Sequence, residues 1–315
     1  MTKIVDRHVS VGKAIRLRRL IDAESGACIV VAMDHGMTSP RFLEGLRDTA
    51  SRITEAIGGG ATALMLSRGS AEAYCHTFAG KTGFALMLTA SAACHPDGPR
   101  IAPIGSVEEA TRLGADAVVV YVALNGSDER EMVSYVSSVG EACSAFGVPL
   151  IAEAEFPNAY AELESLDTEL GTEYLTRNAR LCAELGADIV KVNWSGDQES
   201  FASIIEACDR PVIVAGGPLL PDDVFLDRMA SARSAGAIGC SVGRNVFQHP
   251  DPTAMTRALS RIFKQSWTAH DALSELDSSV PARADGNVSR PSDAGALRVP
   301  LANSAPGARE ADSGS

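Results

Sequence analysis

Eight short, apolar, β-branched runs recur along this chain, at residues 28–34, 61–67, 83–90, 115–124, 148–156, 187–194, 210–215 and 237–242, with longer amphipathic segments between them. The runs lack the strict alternation of a sheet that is wet on one face. Apolar almost throughout, they read as strands of a parallel sheet covered on both sides. From Cys28 to Gln265 there are 238 residues, or about 30 per repeat, the size of one strand-plus-helix unit.

The joints between repeats carry a second regularity. Gly60-Ala61, Gly114-Ala115-Asp116, Gly186-Ala187-Asp188 and Gly236-Ala237 lead into the second, fourth, sixth and eighth runs, where glycine supplies the left-handed cap that ends a helix. Val148-Pro149 and Arg210-Pro211 open the fifth and seventh, where a proline at the first strand position forfeits no ladder bond. Joint chemistry with period two suits a closed barrel, in which alternate strands fill alternate core layers. The expected fold is therefore α/β, a (β/α)8 TIM barrel over residues 28–276 with an N-terminal helical extension over 1–27, its helix at 11–23. An open doubly wound sheet is the competitor, but no G-x-G-x-x-G follows the first run. From residue 277 the chain turns to Ser, Ala, Pro, Gly, Asp and Arg without an aromatic residue, so 277–315 is predicted to be a disordered tail.

Composition narrows the function. A net charge of −12 and a pI near 5.0 leave no cationic surface for nucleic acid. The tail's acids and bases nearly cancel, so the acidity belongs to the folded part. The apolar runs fall well short of the roughly 20 residues that cross a bilayer, and the charged first twenty residues carry no readable secretory signal. Seven scattered cysteines without a C-x-x-C pair read as thiols of a reducing compartment. Cys75-His76 and Cys94-His95 each offer half a zinc site, with no second pair beside them. The expectation is a cytoplasmic protein with no nucleic-acid partner, no membrane partner, no metal and no other cofactor.

In a barrel of this kind the chemistry gathers at the carboxyl ends of the strands. The chain has five lysines, and only Lys191 stands inside a run, in Val190-Lys191-Val192-Asn193. Burial there disfavours the ammonium, so its pKa is expected to fall and leave an amine able to attack a carbonyl. Pairing with a carboxylate is the structural alternative. Gly216-Gly217 and Gly243-Arg244 close the seventh and eighth runs, where barrels build phosphate sites from exposed backbone N–H groups. Asp34, ending the first run, has the chemistry to move a proton or hold a substrate hydroxyl, and His35 to bind one. Each is equally compatible with a loop role.

Taken together, Ala32-Met33-Asp34-His35-Gly36, Leu88-Thr89-Ala90-Ser91-Ala92, Gly105-Ser106-Val107-Glu108-Glu109-Ala110, Leu113-Gly114-Ala115-Asp116-Ala117-Val118, Gly186-Ala187-Asp188-Ile189-Val190-Lys191, Ala215-Gly216-Gly217-Pro218 and Val242-Gly243-Arg244-Asn245-Val246-Phe247-Gln248 resemble the archaeal-type class I fructose-bisphosphate aldolases and the 2-amino-3,7-dideoxy-D-threo-hept-6-ulosonate synthases, of the DeoC/LacD type. The resemblance spans almost all of the barrel and leaves out the tail. It implies that Lys191 forms an imine, that Asp34 serves proton transfer or substrate orientation, that the glycine ends hold a substrate phosphate, and that the protein is a homo-oligomer without metal. One departure stands out: these aldolases place a tyrosine before a proline at the fifth strand as the main acid/base group, and here Phe156-Pro157 stands in its place. The fifth run also reads one residue long, as a bulge that would bring a glutamate into that role. Glu155 is the first candidate, Glu153 the second and Tyr121 a further donor, while both glutamates facing outward or binding a substrate amine is the alternative.

The expected activity is thus a Schiff-base aldolase acting on a phosphorylated ketose or dihydroxyacetone phosphate-type donor in a specialised biosynthesis, with an amino-acid semialdehyde as one acceptor. Fructose-bisphosphate cleavage, acyl transfer to coenzyme A and a phosphosugar-binding barrel without turnover are the competing readings.

Overall fold

The computed structural model describes residues 9–39, 42–91, 101–124, 128–156 and 168–279. Its strands are β1 (Cys28–Ala32), β2 (Ala63–Leu66), β3 (Gly83–Met87), β4 (Thr89–Ser91), β5 (Ile101–Pro103), β6 (Ala117–Val122), β7 (Leu150–Ala154), β8 (Ile189–Val192), β9 (Val212–Ala215) and β10 (Gly239–Val242). All but β4 and β5 pair in parallel in the order β1-β10-β9-β8-β7-β6-β3-β2 and close into a barrel of the (β/α)8 kind. The predicted third strand divides. It leaves the barrel after Met87, and β4 pairs antiparallel with β5 in a hairpin that periodicity alone did not separate from the run at 83–90.

Strand parity sorts the apolar residues into two cores. Cys28, Val30, Ala32, Ala63, Met65, Ala85, Met87, Ala117, Val119, Ile151, Ile189 and Ile213 fill the barrel interior. Their alternates, such as Ile29, Val31, Leu64, Val118, Val190 and Val212, face the surrounding helices. This is why the runs carry no polar alternation: each strand buries both faces, at roughly 1.5–3 kcal/mol per fully buried large aliphatic side chain. The predicted helix-ending glycines all have positive φ, at 95° for Gly60, 77° for Gly114, 101° for Gly186 and 114° for Gly236.

Helices α1 (Val11–Leu20), α2 (Thr49–Gly58), α3 (Arg68–Phe78), α4 (Val107–Arg112), α5 (Glu129–Phe146), α6 (Thr168–Glu184), α7 (Gln198–Cys208), α8 (Asp222–Ala235), α9 (Arg244–Phe247), α10 (Pro252–Gln265) and α11 (Ala269–Ser279), with a short 3-10 turn at Glu44–Leu46, complete the described elements. Helix α1 ends three residues before the predicted limit and plugs the end of the barrel where the strands begin. Leu17, Leu20 and Ile21 join the interior core, and a Cβ on Gly83 would lie 2.8 Å from the Arg19 carbonyl oxygen. The aspartates of the two Gly-Ala-Asp joints hold this plug. Lys13 Nζ donates to Asp188 Oδ2 at 2.8 Å and Oδ1 at 3.1 Å, and Arg19 Nη1 donates to Asp116 Oδ1 at 2.9 Å. The same carboxylates accept the backbone N–H groups of Leu150 and Phe84.

At the other terminus α11 runs through Ser279, so the helical chain continues past the boundary predicted at residue 276, because Ala272 and Leu276 are buried against the outer core. The remainder of the predicted tail, the Cys94-His95 pair and Pro157 lie outside the described residues. No described helix is long and apolar enough to cross a membrane.

Candidate active site

Barrel register places the charged residues side by side. On β6, β7 and β8, Tyr121 pairs with Glu153 and Glu153 with Lys191, and all three belong to the inward-facing set of their strands. Lys191 Nζ donates to Glu153 Oε1 at 2.7 Å and lies 2.7 Å from Glu155 Oε1 in a second ion pair. The hydrogen bond goes to Glu153, and Glu155 Oε1 brings a second carboxylate to the same distance.

The end of β7 explains how two glutamates reach one lysine. The Glu155 N–H bonds the Glu153 carbonyl at 2.9 Å as well as Val122 at 3.2 Å, a tight turn immediately after the strand. Phe156 is thereby turned out of the barrel. Its ring stacks on Tyr174 with centroids 5.7 Å apart, within the core between strands and helices. Its backbone is fixed from inside, the N–H by Asn193 Oδ1 at 2.8 Å and the carbonyl by the Tyr121 hydroxyl at 2.6 Å. Tyr121 thus commits its proton to positioning the turn, and Glu155 lines the cavity that Phe156 leaves.

Electrostatics corrects the expectation for Lys191. Burial alone would lower its pKa, but the two glutamates outweigh burial and hold the ammonium above the ordinary lysine range. Pairing with a carboxylate, the structural alternative in the sequence, is what the fold realises, through Glu153 on β7 and Glu155 on the turn after it. Burial lifts the Glu153 carboxyl to about 8, with Glu155 and Asp34 adding to the rise and Lys191 opposing it. Asp34 is likewise lifted by burial, to about 6, against the attraction of Lys191. His35 is depressed to about 3 by burial and by the positive charges of Arg244 and Lys191, so its imidazole is neutral. Its Nδ1 stands 3.6 Å from Asp34 Oδ1, and its ring meets Phe247 edge-on.

Across the barrel mouth the two glycine ends form one rim. Gly216 N–H donates to the Ser241 carbonyl at 3.1 Å, and Arg244 Nη2 to the Gly217 carbonyl at 2.9 Å. Asn245 Nδ2 ties the Gly216 and Pro218 carbonyls at 3.1 and 2.8 Å, while its Oδ1 accepts the Leu220 N–H. Gly217 adopts φ 67°, and a Cβ on Gly243 would lie 2.1 Å from His35 Cε1, so glycine is required at both places for different reasons. A single cavity is lined by Asp34, His35, Glu153, Glu155, Lys191, Gly216, Gly217, Gly243 and Arg244. Thr38, Asn193 and Ser241 also line it and were not singled out from the sequence. The inward parity of Asn193 with Lys191, and of Ser241 with Gly243, was the available signal.

The profile of the DeoC/LacD family aldolases matches residues 28–249, from the first barrel strand to just beyond the glycine rim. The chain belongs to the DeoC/LacD aldolase family. It is 36% identical over 251 residues to the 2-amino-3,7-dideoxy-D-threo-hept-6-ulosonate synthase of Halobacterium salinarum, covering 80% of this chain and 91% of that one. It is 32% identical over 261 residues to the 2-amino-4,5-dihydroxy-6-oxo-7-(phosphonooxy)heptanoate synthase of Streptomyces griseus, covering 81% and 92%. Among solved structures, a Schiff-base-forming fructose-1,6-bisphosphate aldolase superposes with a TM-score of 0.69 at 27% identity, over 80% of this chain and 99% of that one. This member of the DeoC/LacD family is an aldolase of class I, the Schiff-base-forming type.

Proposed function

We propose that this aldolase joins a three-carbon ketone donor, held as an imine on Lys191, to a four-carbon amino-acid semialdehyde. The observation that carries the reading is the Lys191 ammonium, 2.7 Å from both Glu153 and Glu155, in one cavity with the glycine rim. The names of the two synthases support it. Both describe seven-carbon 2-amino acids with a ketone at carbon six, and aldol disconnection between carbons four and five leaves a three-carbon ketone and aspartate semialdehyde. They differ at carbon seven, a phosphate ester in one and a deoxy carbon in the other. The rim of Gly216, Gly217, Gly243 and Arg244 favours the phosphorylated donor, dihydroxyacetone phosphate, because glycine backbone and a guanidinium suit a dianion.

In this mechanism Glu153 takes a proton from Lys191, and the freed amine attacks the donor carbonyl. The Glu153–Glu155 pair returns a proton to the carbinolamine oxygen, which leaves as water and gives the iminium. The iminium withdraws electrons as a base removes a proton from the neighbouring carbon, giving an enamine. That carbon attacks the aldehyde, Asp34 protonates the new alkoxide, and hydrolysis restores Lys191. A cytoplasmic, homo-oligomeric enzyme is the setting that goes with this reading.

Incubation with dihydroxyacetone phosphate and borohydride, followed by peptide mass spectrometry, is expected to place a reduced adduct on Lys191. Aspartate semialdehyde is then expected to be consumed faster than glyceraldehyde 3-phosphate. The reading falls if no adduct forms, or if Lys191→Ala still turns over. Preferential cleavage of fructose 1,6-bisphosphate would replace the acceptor with a sugar phosphate.

A further inference from the structure

Ser241 stands on β10, two residues before Gly243 and on the same inward face, and lines the cavity that contains Lys191. It is 2% exposed, and its hydroxyl has no hydrogen-bond partner among the described residues. A buried hydroxyl left unpartnered is disfavoured relative to an alanine of nearly the same shape. Alanines occupy comparable places around the same cavity, at Ala32 and Ala215. The hydroxyl is therefore unexplained by the packing of the protein and is aimed at the space a substrate would fill.

Its depth selects the substrate atom. Two residues along a strand separate Gly243 from Ser241 by about 6.6 Å. In an extended three-carbon ketone phosphate the phosphorus lies about 4 Å from the carbonyl carbon and about 6 Å from the far hydroxyl oxygen, by ordinary bond lengths. With the phosphate on the glycine rim and the carbonyl carbon bonded to Lys191, it is the far hydroxyl that reaches the level of Ser241.

We infer that Ser241 is a specificity-determining residue that hydrogen-bonds the hydroxyl on the donor's nucleophilic carbon, selecting α-hydroxy ketone phosphates over their deoxy analogues. This rests on the reading that Lys191 forms an imine with a phosphorylated ketone. Holding that hydroxyl also fixes which face of the enamine meets the aldehyde, and so the configuration at the new carbinol carbon.

The test measures borohydride trapping against donor concentration for dihydroxyacetone phosphate and for hydroxyacetone phosphate, which lacks the far hydroxyl, in the wild type and in Ser241→Ala. The wild type should half-saturate with dihydroxyacetone phosphate at about a tenfold lower concentration than with the analogue, the effect of one hydrogen bond. Ser241→Ala should lose that tenfold for dihydroxyacetone phosphate and leave the analogue unchanged, with a melting temperature no lower than that of the wild type. Equal affinity for the two donors in the wild type overturns the inference, as does an equal loss for both in the variant, which would mark a packing role. If the wild type traps neither ketone, the imine reading fails and takes this inference with it, a result distinct from trapping without discrimination.

Discussion

Replacing Glu153 with glutamine keeps the shape of the side chain and removes its ability to take a proton from Lys191. In the wild type Glu153 Oε1 is 2.7 Å from Nζ, the residue is 3% exposed, and burial lifts its pKa from 4.5 to about 8. Below that pH the carboxyl holds its own proton and cannot accept another, so imine formation is expected to rise with pH through about 8. A positioned base contributes typically 10²–10⁴ in rate. Taking the lower end, Glu153→Gln should slow rapid-quench borohydride trapping about 100-fold, or roughly 3 kcal/mol in the barrier, and erase the ascending limb. Stability carries the same titration. A carboxyl whose pKa is raised by folding contributes stability that is complete below about pH 4.5 and is lost as pH rises through about 8. Urea unfolding of the wild type should show a loss on the order of a few kcal/mol between pH 5 and 8.5, and the variant a smaller one. Trapping at the wild-type rate with the same limb would place the base elsewhere. An unchanged pH slope of stability would refute the account of Glu153 burial.

The plug and the rim give two further predictions. Lys13→Met strands the largely buried Asp188 carboxylate, expected to cost about 3–5 kcal/mol and to lower the melting temperature by roughly 10 °C. Arg19→Met, at an arginine 60% exposed, should cost no more than about 1 kcal/mol, and scanning calorimetry of the two variants compares them directly. Gly243→Ala puts a methyl group 2.1 Å from His35 Cε1 and 2.9 Å from the Ala32 carbonyl oxygen, so it is expected to destabilise by about 1–3 kcal/mol. It should also weaken donor trapping at least tenfold, and wild-type values on both counts would show that His35 can move aside freely.

Much of the barrel was legible because its signals are local. A strand covered on both faces is apolar wherever it stands, and a helix that must turn back into a strand ends on a residue tolerant of positive φ, as at Gly60, Gly114, Gly186 and Gly236. Lys191 was legible for the related reason that a lone lysine within such a strand is anomalous. The hairpin of β4 and β5 was not, because Thr89–Ser91 continues an apolar run and only pairing with Ile101–Pro103 distinguishes it. Composition changes at residue 277 while α11 runs on to Ser279, because a helix anchored by the buried Ala272 and Leu276 completes its last turn whatever residues follow.

The repeat, the burial of both strand faces, the glycine ends and the singular lysine can be read from neighbouring residues, because each depends on chemistry within a few positions. The charge on that lysine depends instead on partners that meet it when the chain has folded. Glu153 reaches Lys191 through strand register, and Glu155 through a turn whose backbone is held by Val122 and whose next residue is fixed by Asn193 and Tyr121, all distant in the chain. A pKa reflects the charges around a group as much as its burial, and those charges converge only when the barrel closes.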